Sequence, residues 1–232
     1  MRQLYEGKAK IVYEKNPQEV IIHFKDDATA GNGAKKATIA GKGVLNNQIS
    51  TLLFKYLANN HIATHLIEQV NERDILCKKV DVIPLEVIVR NIASGSIVRR
   101  LGITKGEIFT TPTVEFSYKN DALGDPLLND DHAVALQIAS REELNYIKEE
   151  ALKINELLKN KFADIGMTLV DFKLEFGKSS DGVIYLVDEI SPDNCRLWDS
   201  HSISFDKDLF REDSGDLIAG YQTIYQLLKE NL

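Results

Sequence analysis

The chain has 232 residues, of which 44% are hydrophobic and 27% are charged, as in ordinary globular proteins. Such a composition can build an apolar core and excludes a wholly disordered chain. The 35 acidic residues outnumber the 28 basic ones and leave a net charge of −7. Because a phosphate backbone repels an acidic surface, the chain is not expected to be a general nucleic-acid binder.

The cysteines and the hydropathy pattern predict a soluble, cytoplasmic protein. Cys77 and Cys195 lie far apart and form no CxxC pair, as expected of a reduced protein without a metal framework. The N-terminus runs directly into charged sequence, and no stretch approaches the ~18 apolar residues of a membrane span. We therefore expect neither nucleic acid nor a membrane as a partner.

The first third of the chain is predicted to be rich in strands. A helix of roughly twenty residues, ending near Asn60, interrupts them. Pro84 indicates a hinge before the last strand of this part, because proline cannot donate to a strand ladder. The predicted strands span residues 9–13, 20–24, 63–70, 75–80 and 85–89.

The second half begins with residues 102–139, whose weak periodicity predicts no element. Ser140 and Glu143 then have the spacing of a capping box and open a helix with an apolar face that continues to Phe162. A β-hairpin over 168–190 and a helix over 216–230 follow. The whole pattern predicts an α+β fold of two lobes around a cleft, a β-rich lobe over 1–82 and a mixed lobe over 83–232.

The first strand of the predicted hairpin carries a row of charged residues. Asp171, Lys173 and Glu175 alternate with apolar residues and therefore share one face, ~6.8 Å apart along the strand. Such a row is more often a solvated face, but the next strand is too apolar for an exposed position. If the hairpin is symmetric, Asp188 joins this face, whereas a one-residue slip would reverse it. Carboxylates gathered in this way suit Mg²⁺.

Two further segments have the features of anion sites, each with an ordinary alternative. A predicted strand ends at Arg90 and a short helix starts near Ser96, an arrangement that suits a phosphate or serves as a simple N-cap at Ser94 or Ser96. Arg196 follows a proline turn and either clamps a phosphate or carboxylate or pairs with Asp199.

A glycine turn near the N-terminus carries two lysines, Lys8 and Lys10, around Ala9. The turn can fold over a nucleotide triphosphate, with a solvated hairpin tip as the alternative. His61 and His65 are four residues apart but lack the flanking pattern of a metal site. We expect them at the surface, without a metal.

Five segments of this chain are found in the same order in one enzyme family. They are LYEGKAK at 4–10, PLEVIVRN at 84–91, SGS at 94–96, DFKLEFG at 171–177 and DEISPD at 188–193. The chain resembles the SAICAR synthetase family over essentially its whole length. The resemblance implies a two-lobed α+β fold, distantly similar to protein kinases and ATP-grasp enzymes. It also implies a C–N forming ligase of purine biosynthesis that uses ATP, L-aspartate and carboxyaminoimidazole ribotide (CAIR).

The resemblance also implies a role for individual residues. It implies that Arg90, Ser96 and Arg196 bind CAIR, and that Asp171 and Lys173 are catalytic groups that order the ribotide and the nucleotide. The loop at 27–35 would form part of the CAIR and aspartate site, with the role of Asn32 open. It assigns Mg²⁺ to Glu175 and Asp188, and adenine to a hinge at 79–82. Residues implied to bind ATP are Lys8, Ala9, Lys10, Lys79, Val82, Glu175 and Asp188.

Two other functions use the same nucleotide-binding parts. A small-molecule kinase would need one co-substrate besides ATP, and a nucleotide-sensing module would bind ATP without turnover. The charged row at 171–175 argues against the module. The sequence does not determine the oligomeric state, and a homodimer is one option.

Overall fold

The computed structural model describes residues 1–31 and 33–231, so Asn32, whose role the sequence leaves open, lies outside the described residues. The strands are, in chain order, β1 (Arg2–Glu6), β2 (Lys10–Asn16), β3 (Glu19–Phe24), β4 (Asp27–Ala30), β5 (Lys35–Thr38), β6 (Leu66–Gln69), β7 (Asp74–Lys78), β8 (Asp81–Val82), β9 (Leu85–Ile92), β10 (Ile108–Tyr118), β11 (Leu127–Leu128), β12 (Thr168–Lys178), β13 (Ile184–Val187) and β14 (Cys195–Trp198). The helices are α1 (Lys42–Asn59), α2 (Ser96–Leu101), α3 (Asp130–Ala135), α4 (Arg141–Asp164), α5 (Asp208–Arg211) and α6 (Leu217–Asn231), with a 3₁₀ turn at Asp121–Leu123.

These strands form two antiparallel sheets and a small ribbon. The first sheet has the order β1-β2-β3-β7-β6, and β4 pairs with β5 in the separate ribbon. The second sheet has the order β11-β10-β9-β12-β13, and β8 and β14 also pair with β12. Strand β12 therefore lies at the centre of the second sheet, where both of its edges are paired.

The larger apolar core lies between the second sheet and the long helices. Helix α4 packs on β9, β10 and β12, and its buried residues recur at steps of three and four, as expected of an amphipathic helix. Helix α1 adds Ile49, Leu53 and Leu57 to the same core and packs against α6. A smaller core belongs to the first sheet and includes Val20, Ile22 and Phe24. The predicted division at residue 82 stays a prediction, since α1 precedes that point but contributes to the larger core.

Much of this architecture agrees with the sequence. The α+β class, the long helices and the first-lobe strands lie where the hydrophobic pattern predicts them. The unassigned segment 102–139 contains β10, β11 and α3. It carries few regular apolar repeats because β10 is half exposed along most of its length. In the described part of the chain, no helix is long and apolar enough to cross a bilayer.

The predicted capping box is confirmed at the start of α4. The backbone N–H of Glu143 donates to Oγ of Ser140 at 3.2 Å, and the backbone N–H of Ser140 donates to the Glu143 carboxylate at 2.8 Å. Both bonds satisfy donors that the first helical turn leaves without partners.

Replacing the capping serine should destabilise the protein measurably. Ser140→Ala removes the hydroxyl acceptor and should lower the free energy of unfolding by about 1 kcal/mol, measured by urea denaturation. Ser140→Thr, which keeps a hydroxyl, is the matched control and should lose much less. An unchanged stability of Ser140→Ala would show that α4 does not depend on this cap.

Candidate active site

Two cavities adjoin each other: the smaller lies between the first and second sheets, and the larger lies between the second sheet and the β4–β5 ribbon. The smaller one has a volume of about 500 Å³ and the larger one about 820 Å³. The smaller cavity is lined by every residue predicted to bind ATP, and the larger one by Arg90, Ser96, Asp171 and Arg196. Residues that line both cavities, Lys8, Ala9, Lys173 and Asp188 among them, form the junction between the two.

The smaller cavity combines apolar walls with charged groups at its inner end. Its apolar lining comes mainly from the first sheet and from β8: Leu4, Val12, Val20, Ile22 and Val82. Lys8, at the mouth, forms an ion pair with Asp121 at 2.6 Å. Lys79 forms one with Glu14 at 3.2 Å. A flat apolar group bearing a negatively charged tail would fit this distribution.

Lys10 connects the first sheet to the end of β13. It starts β2, and its Nζ forms ion pairs with the carboxylates of Asp188 and of Glu189, the latter at 2.7 Å. Burial alone would lower the pKa of Lys10, but the attraction of both carboxylates outweighs burial and raises it. The same attraction holds the pKa of Asp188 well below its usual range, although burial opposes it. Both groups are therefore charged at neutral pH.

Lys173 lies among the carboxylates at the junction of the cavities. Its Nζ is 2.5 Å from Oε1 of Glu175, 3.2 Å from Oε1 of Glu86 and 3.6 Å from Oδ2 of Asp188. Glu175, only 3% exposed, also pairs with Lys119. Neighbouring charges raise the pKa of Lys173 against the effect of burial. The charged row of β12 is therefore a buried ion cluster, and the solvated-face alternative is wrong.

The hairpin reaches this arrangement by a different register from the symmetric one. Glu175 pairs with Val187, because a five-residue connection at 179–183 separates the paired ends of β12 and β13. Strand alternation alone would then turn Asp188 away from the row. However, Asp188 adopts a left-handed conformation with φ of 69°, which aspartate tolerates better than most residues. This turn returns its carboxylate to Lys173.

In the larger cavity, two arginines share one buried carboxylate. Oδ2 of Asp171, on β12, accepts a hydrogen bond of 2.8 Å from Nη1 of Arg90, on β9. Nη1 of Arg196, on β14, donates to both oxygens of Asp171, at 3.0 and 2.9 Å. Nε of Arg196 donates to Asp208 at 2.8 Å, so the predicted alternative of a pair with Asp199 is wrong.

The start of α2 brings a serine and a glycine against these arginines. Nη2 of Arg90 donates to Oγ of Ser96 at 3.1 Å. The N-cap residue is Gly95, with no side-chain cap, so neither Ser94 nor Ser96 caps the helix. A Cβ on Gly95 would lie 2.8 Å from Nη2 of Arg196, and φ at this residue is +64°. The positive φ favours glycine here, and any side chain would in addition have to displace the guanidinium.

The loop around Asn32 forms another wall of the larger cavity. Thr29, Ala30, Gly31 and Gly33 line it, and they belong to the loop at 27–35 for which a role in the CAIR and aspartate site stays a prediction. Asn32 itself lies outside the described residues. Lys35 points toward the C-terminal part, where its Nζ pairs with Asp213 at 2.6 Å.

Several polar residues of the cavities were missed by the sequence reasoning. Lys119 lies in the segment without periodicity, and Glu86 follows the predicted hinge. A third group surrounds Asp193, which binds the fully buried Lys42 at 2.6 Å and accepts a 2.6 Å hydrogen bond from Tyr221. The lysine of this pair comes from the start of α1 and the tyrosine from α6, and no local pattern predicts such distant partners.

His65 and both cysteines are buried. His65 lines the smaller cavity and is 2% exposed, so its expected surface position is wrong, and burial lowers its pKa to about 4. Burial raises the pKa of both Cys77 and Cys195, which are therefore thiols at neutral pH. No cluster of three or more His, Cys, Asp or Glu side chains that could hold a metal is found in residues 1–31 and 33–231.

Comparisons with known proteins agree on one family. The family model described as SAICAR synthetase matches residues 3–228. The phosphoribosylaminoimidazole-succinocarboxamide synthase of Finegoldia magna is 55% identical over 231 residues, which cover 99% of this chain and 100% of that protein.

Solved structures are similar over the same length. The phosphoribosylaminoimidazole-succinocarboxamide synthase of Ehrlichia chaffeensis has 46% identity and a TM-score of 0.96, and the match covers 98% of each chain. A SAICAR synthetase in complex with ADP has 49% identity and a TM-score of 0.94, and the match covers 97% of this chain and 96% of that one.

Proposed function

The chain belongs to the SAICAR synthetase family, and we propose that its two cavities carry out the ligation through an acyl phosphate of CAIR. The enzyme is an ATP-dependent ligase that joins L-aspartate to CAIR in purine biosynthesis. The observation that carries the proposal is the shared junction: Lys8, Lys173 and Asp188 line both cavities. A phosphoryl group held in one cavity can therefore meet a carboxylate held in the other.

In this proposal the smaller cavity binds ATP. Its apolar walls, closed by Val82 near the hinge, receive adenine, and Lys79 and Ala9 line the path to the phosphates. Lys10 neutralises phosphate charge at the inner end, and Lys8 does so at the mouth. ADP in the complex of the relative with 49% identity supports nucleotide binding in this family.

Glu175 and Asp188 would hold Mg²⁺. Both are carboxylates that contact the same Lys173 ammonium, and the pKa of Asp188 is held low, so that carboxylate is free of a proton at neutral pH. Mg²⁺ is bound in such enzymes by one or two carboxylates together with phosphate oxygens, so two acidic ligands fit this ion. When bound, the ion supplies charge neutralisation to the phosphates during transfer.

The larger cavity is proposed to bind CAIR. Arg90 and Arg196 present planar guanidinium groups, which recognise phosphate or carboxylate with paired hydrogen bonds. Asp171 fixes both of them, and Ser96 adds a hydroxyl beside Arg90. Asp171 thus orients the groups that hold the ribotide, while Lys173 lies at the point where the two substrates meet.

An acyl phosphate follows from the chemistry of the substrate. A carboxylate resists attack by an amine because its leaving group would be oxide, whereas transfer of the γ-phosphoryl group provides phosphate as the leaving group. A covalent enzyme intermediate would require an activated nucleophile. The Cys195 thiol near this site is buried and has a raised pKa, which favours direct phosphorylation of the ribotide.

Three broader assignments belong to the same proposal. The first lobe, residues 1–82, binds the nucleotide, and residues 83–232 supply the ribotide and metal groups. The enzyme is cytoplasmic, in keeping with two buried free cysteines. It forms a homodimer, a proposal supported by large apolar side chains exposed at Leu101, Ile108 and Leu136. Sedimentation equilibrium would test it, and a monomer mass would contradict it.

Removing charge from the proposed metal ligands should slow the reaction. Asp188→Asn or Glu175→Gln keeps the shape of the side chain but weakens the binding of Mg²⁺. The value of kcat should therefore fall ~100-fold or more, and a higher Mg²⁺ concentration should be needed for half-maximal activity. Initial rates over a Mg²⁺ titration measure both effects. Glu156→Gln, on the exposed face of α4, is the matched control. Near-normal turnover of Asp188→Asn at ordinary Mg²⁺ would contradict the assignment.

Replacing Arg196 should affect one substrate selectively. Arg196→Lys cannot reproduce the paired hydrogen bonds to Asp171 and Asp208, so the KM for CAIR should rise by ~10-fold or more, as expected for lost charge-assisted bonds. The KM for ATP should change little. Arg141→Lys, on the surface of α4, controls for the substitution itself. Equal weakening of both substrates would place Arg196 outside the ribotide site.

Isotope transfer tests the acyl phosphate directly. CAIR labelled with ¹⁸O in its carboxylate should give inorganic phosphate that carries one labelled oxygen, with ADP as the nucleotide product, both read by mass spectrometry. The label transfers because the C–O bond, not the P–O bond, breaks when the amine attacks. Unlabelled phosphate, or AMP with pyrophosphate, would rule this route out.

A further inference from the structure

Lys207 lies in the wall of the larger cavity without a close counterion of its own. It directly precedes α5, and its backbone N–H donates to the carbonyl of Pro192 at 3.0 Å. The side chain is 13% exposed and lines the cavity. Its Nζ lies 3.7 Å from Oδ2 of Asp193, beyond hydrogen-bond distance. This contrasts with Lys10 and Lys173, which each touch carboxylates at 2.7 Å or less.

Asp193 is already neutralised by another lysine. Lys42 is fully buried and lies 2.6 Å from the same Oδ2 atom, while Tyr221 donates to Oδ1 at 2.6 Å. Two ammonium groups therefore share one carboxylate, and Lys207 is the more distant of the two. Two like charges around one buried carboxylate disfavour the charged form of the weaker partner.

Other charges around Lys207 act in both directions. Burial is the main cause that lowers its pKa below the ordinary value, and Lys42 and Arg211 add to this effect. Asp193 and Glu189 oppose it but do not outweigh it.

The nearest acidic residues on the segment of Lys207 do not supply a free counterion. Asp208 binds Arg196 and Arg211. Asp206 is fully buried, accepts the N–H groups of Leu197 and Asp208 at 2.8 Å, and has a pKa raised to about 7 by burial. The surroundings of Lys207 thus make its neutral form easier to reach than that of an ordinary lysine, in the wall of the larger cavity.

The ligation requires such a group. The α-amino group of L-aspartate is an ammonium ion at neutral pH and must lose a proton before its nitrogen can attack. We propose that Lys207 is the base that takes this proton. The proposal rests on the function proposed above and adds to it the catalytic group of the second step.

The step balances as a simple proton and acyl transfer. The lone pair of neutral Lys207 Nζ takes one proton from the aspartate ammonium, which leaves a neutral amine and a charged lysine. The amine nitrogen forms a bond to the carbonyl carbon of the acyl phosphate, and the C–O bond to phosphate breaks with its electron pair on oxygen. The departing phosphate takes the second N–H proton and becomes HPO₄²⁻, and Lys207 later returns its proton to water.

Several other ionisable groups of the larger cavity are less suited to this task. Asp171 is held between two guanidinium groups, and Asp188 is paired with Lys10. Arg90, Arg196 and Arg211 keep their protons at any working pH. Lys207 lines the cavity and takes part in no tight ion pair, since its Nζ lies 3.7 Å from Asp193. In its neutral form its Nζ lone pair can accept a proton.

The test replaces Lys207 with a side chain that keeps the charge but cannot give up its proton. Lys207→Arg should lower kcat at saturating L-aspartate by ~100-fold or more, the usual range for a lost general base, with little change in the KM for ATP. The matched control is Lys159→Arg, which changes an exposed lysine of α4 that pairs with Glu156. If the longer guanidinium disturbs folding beside Lys42, as judged by circular dichroism, Lys207→Met is assayed in the same way.

The pH profile separates a base from a merely structural residue. In the wild-type enzyme kcat should rise with pH and level off once Lys207 is neutral. In Lys207→Arg the rise should shift to higher pH and follow the deprotonation of the aspartate amine in solution, because solvent must remove the proton. A variant within threefold of wild-type kcat, or one with a wild-type profile lowered uniformly, would overturn the proposal.

The ¹⁸O experiment keeps this proposal distinct from the route through the acyl phosphate. Label should still reach phosphate in Lys207→Arg, at the reduced rate, because phosphoryl transfer does not need the base. Absence of label in the wild-type enzyme would contradict the acyl phosphate, whereas the kcat and pH results alone decide the role of Lys207.

Discussion

The cleft depends on the pairing of charges that are removed from water. An isolated buried carboxylate or ammonium costs far more free energy than a folded domain can spare, so each must have a partner. In the smaller cavity, up to its junction with the larger one, Lys10, Lys119 and Lys173 alternate with Glu175 and Asp188. The contacts of Lys10 also join the first sheet to the second. The ion cluster thereby positions the groups around both proposed substrates and fixes the relation between the two sheets.

The same principle explains why three lysines of one site behave differently. Lys10 and Lys173 each meet at least two carboxylates, and their pKa values rise despite burial. Lys207 shares a single carboxylate with Lys42, and its pKa falls. With burial acting on all three, the number of nearby carboxylates therefore decides whether the pKa of the lysine rises or falls. One fold can supply both a phosphate clamp and a base with the same residue type.

Local patterns predicted the parts of the structure that local physics controls. The capping box at Ser140, the amphipathic face of α4 and the alternation along β12 each depend on residues a few positions apart, so the sequence reveals them directly. The pairing of Asp171 with Arg90 and Arg196 depends on the register of three strands, and sequence alone provided only the candidate groups. Lys119 stayed hidden because β10 and the turn after it are half exposed and lack a hydrophobic period.

The connection at residues 179–183 has a consequence for how such a chain can change over evolution. Its tip is exposed, and exposed hairpin tips ordinarily tolerate insertions and deletions. Here the odd number of connecting residues determines which side chains of β13 face Glu175, and the left-handed turn at Asp188 is adapted to that register. Gain or loss of one residue at this remote tip would invert the strand. Length variation there should therefore be as restricted as substitution within the cleft.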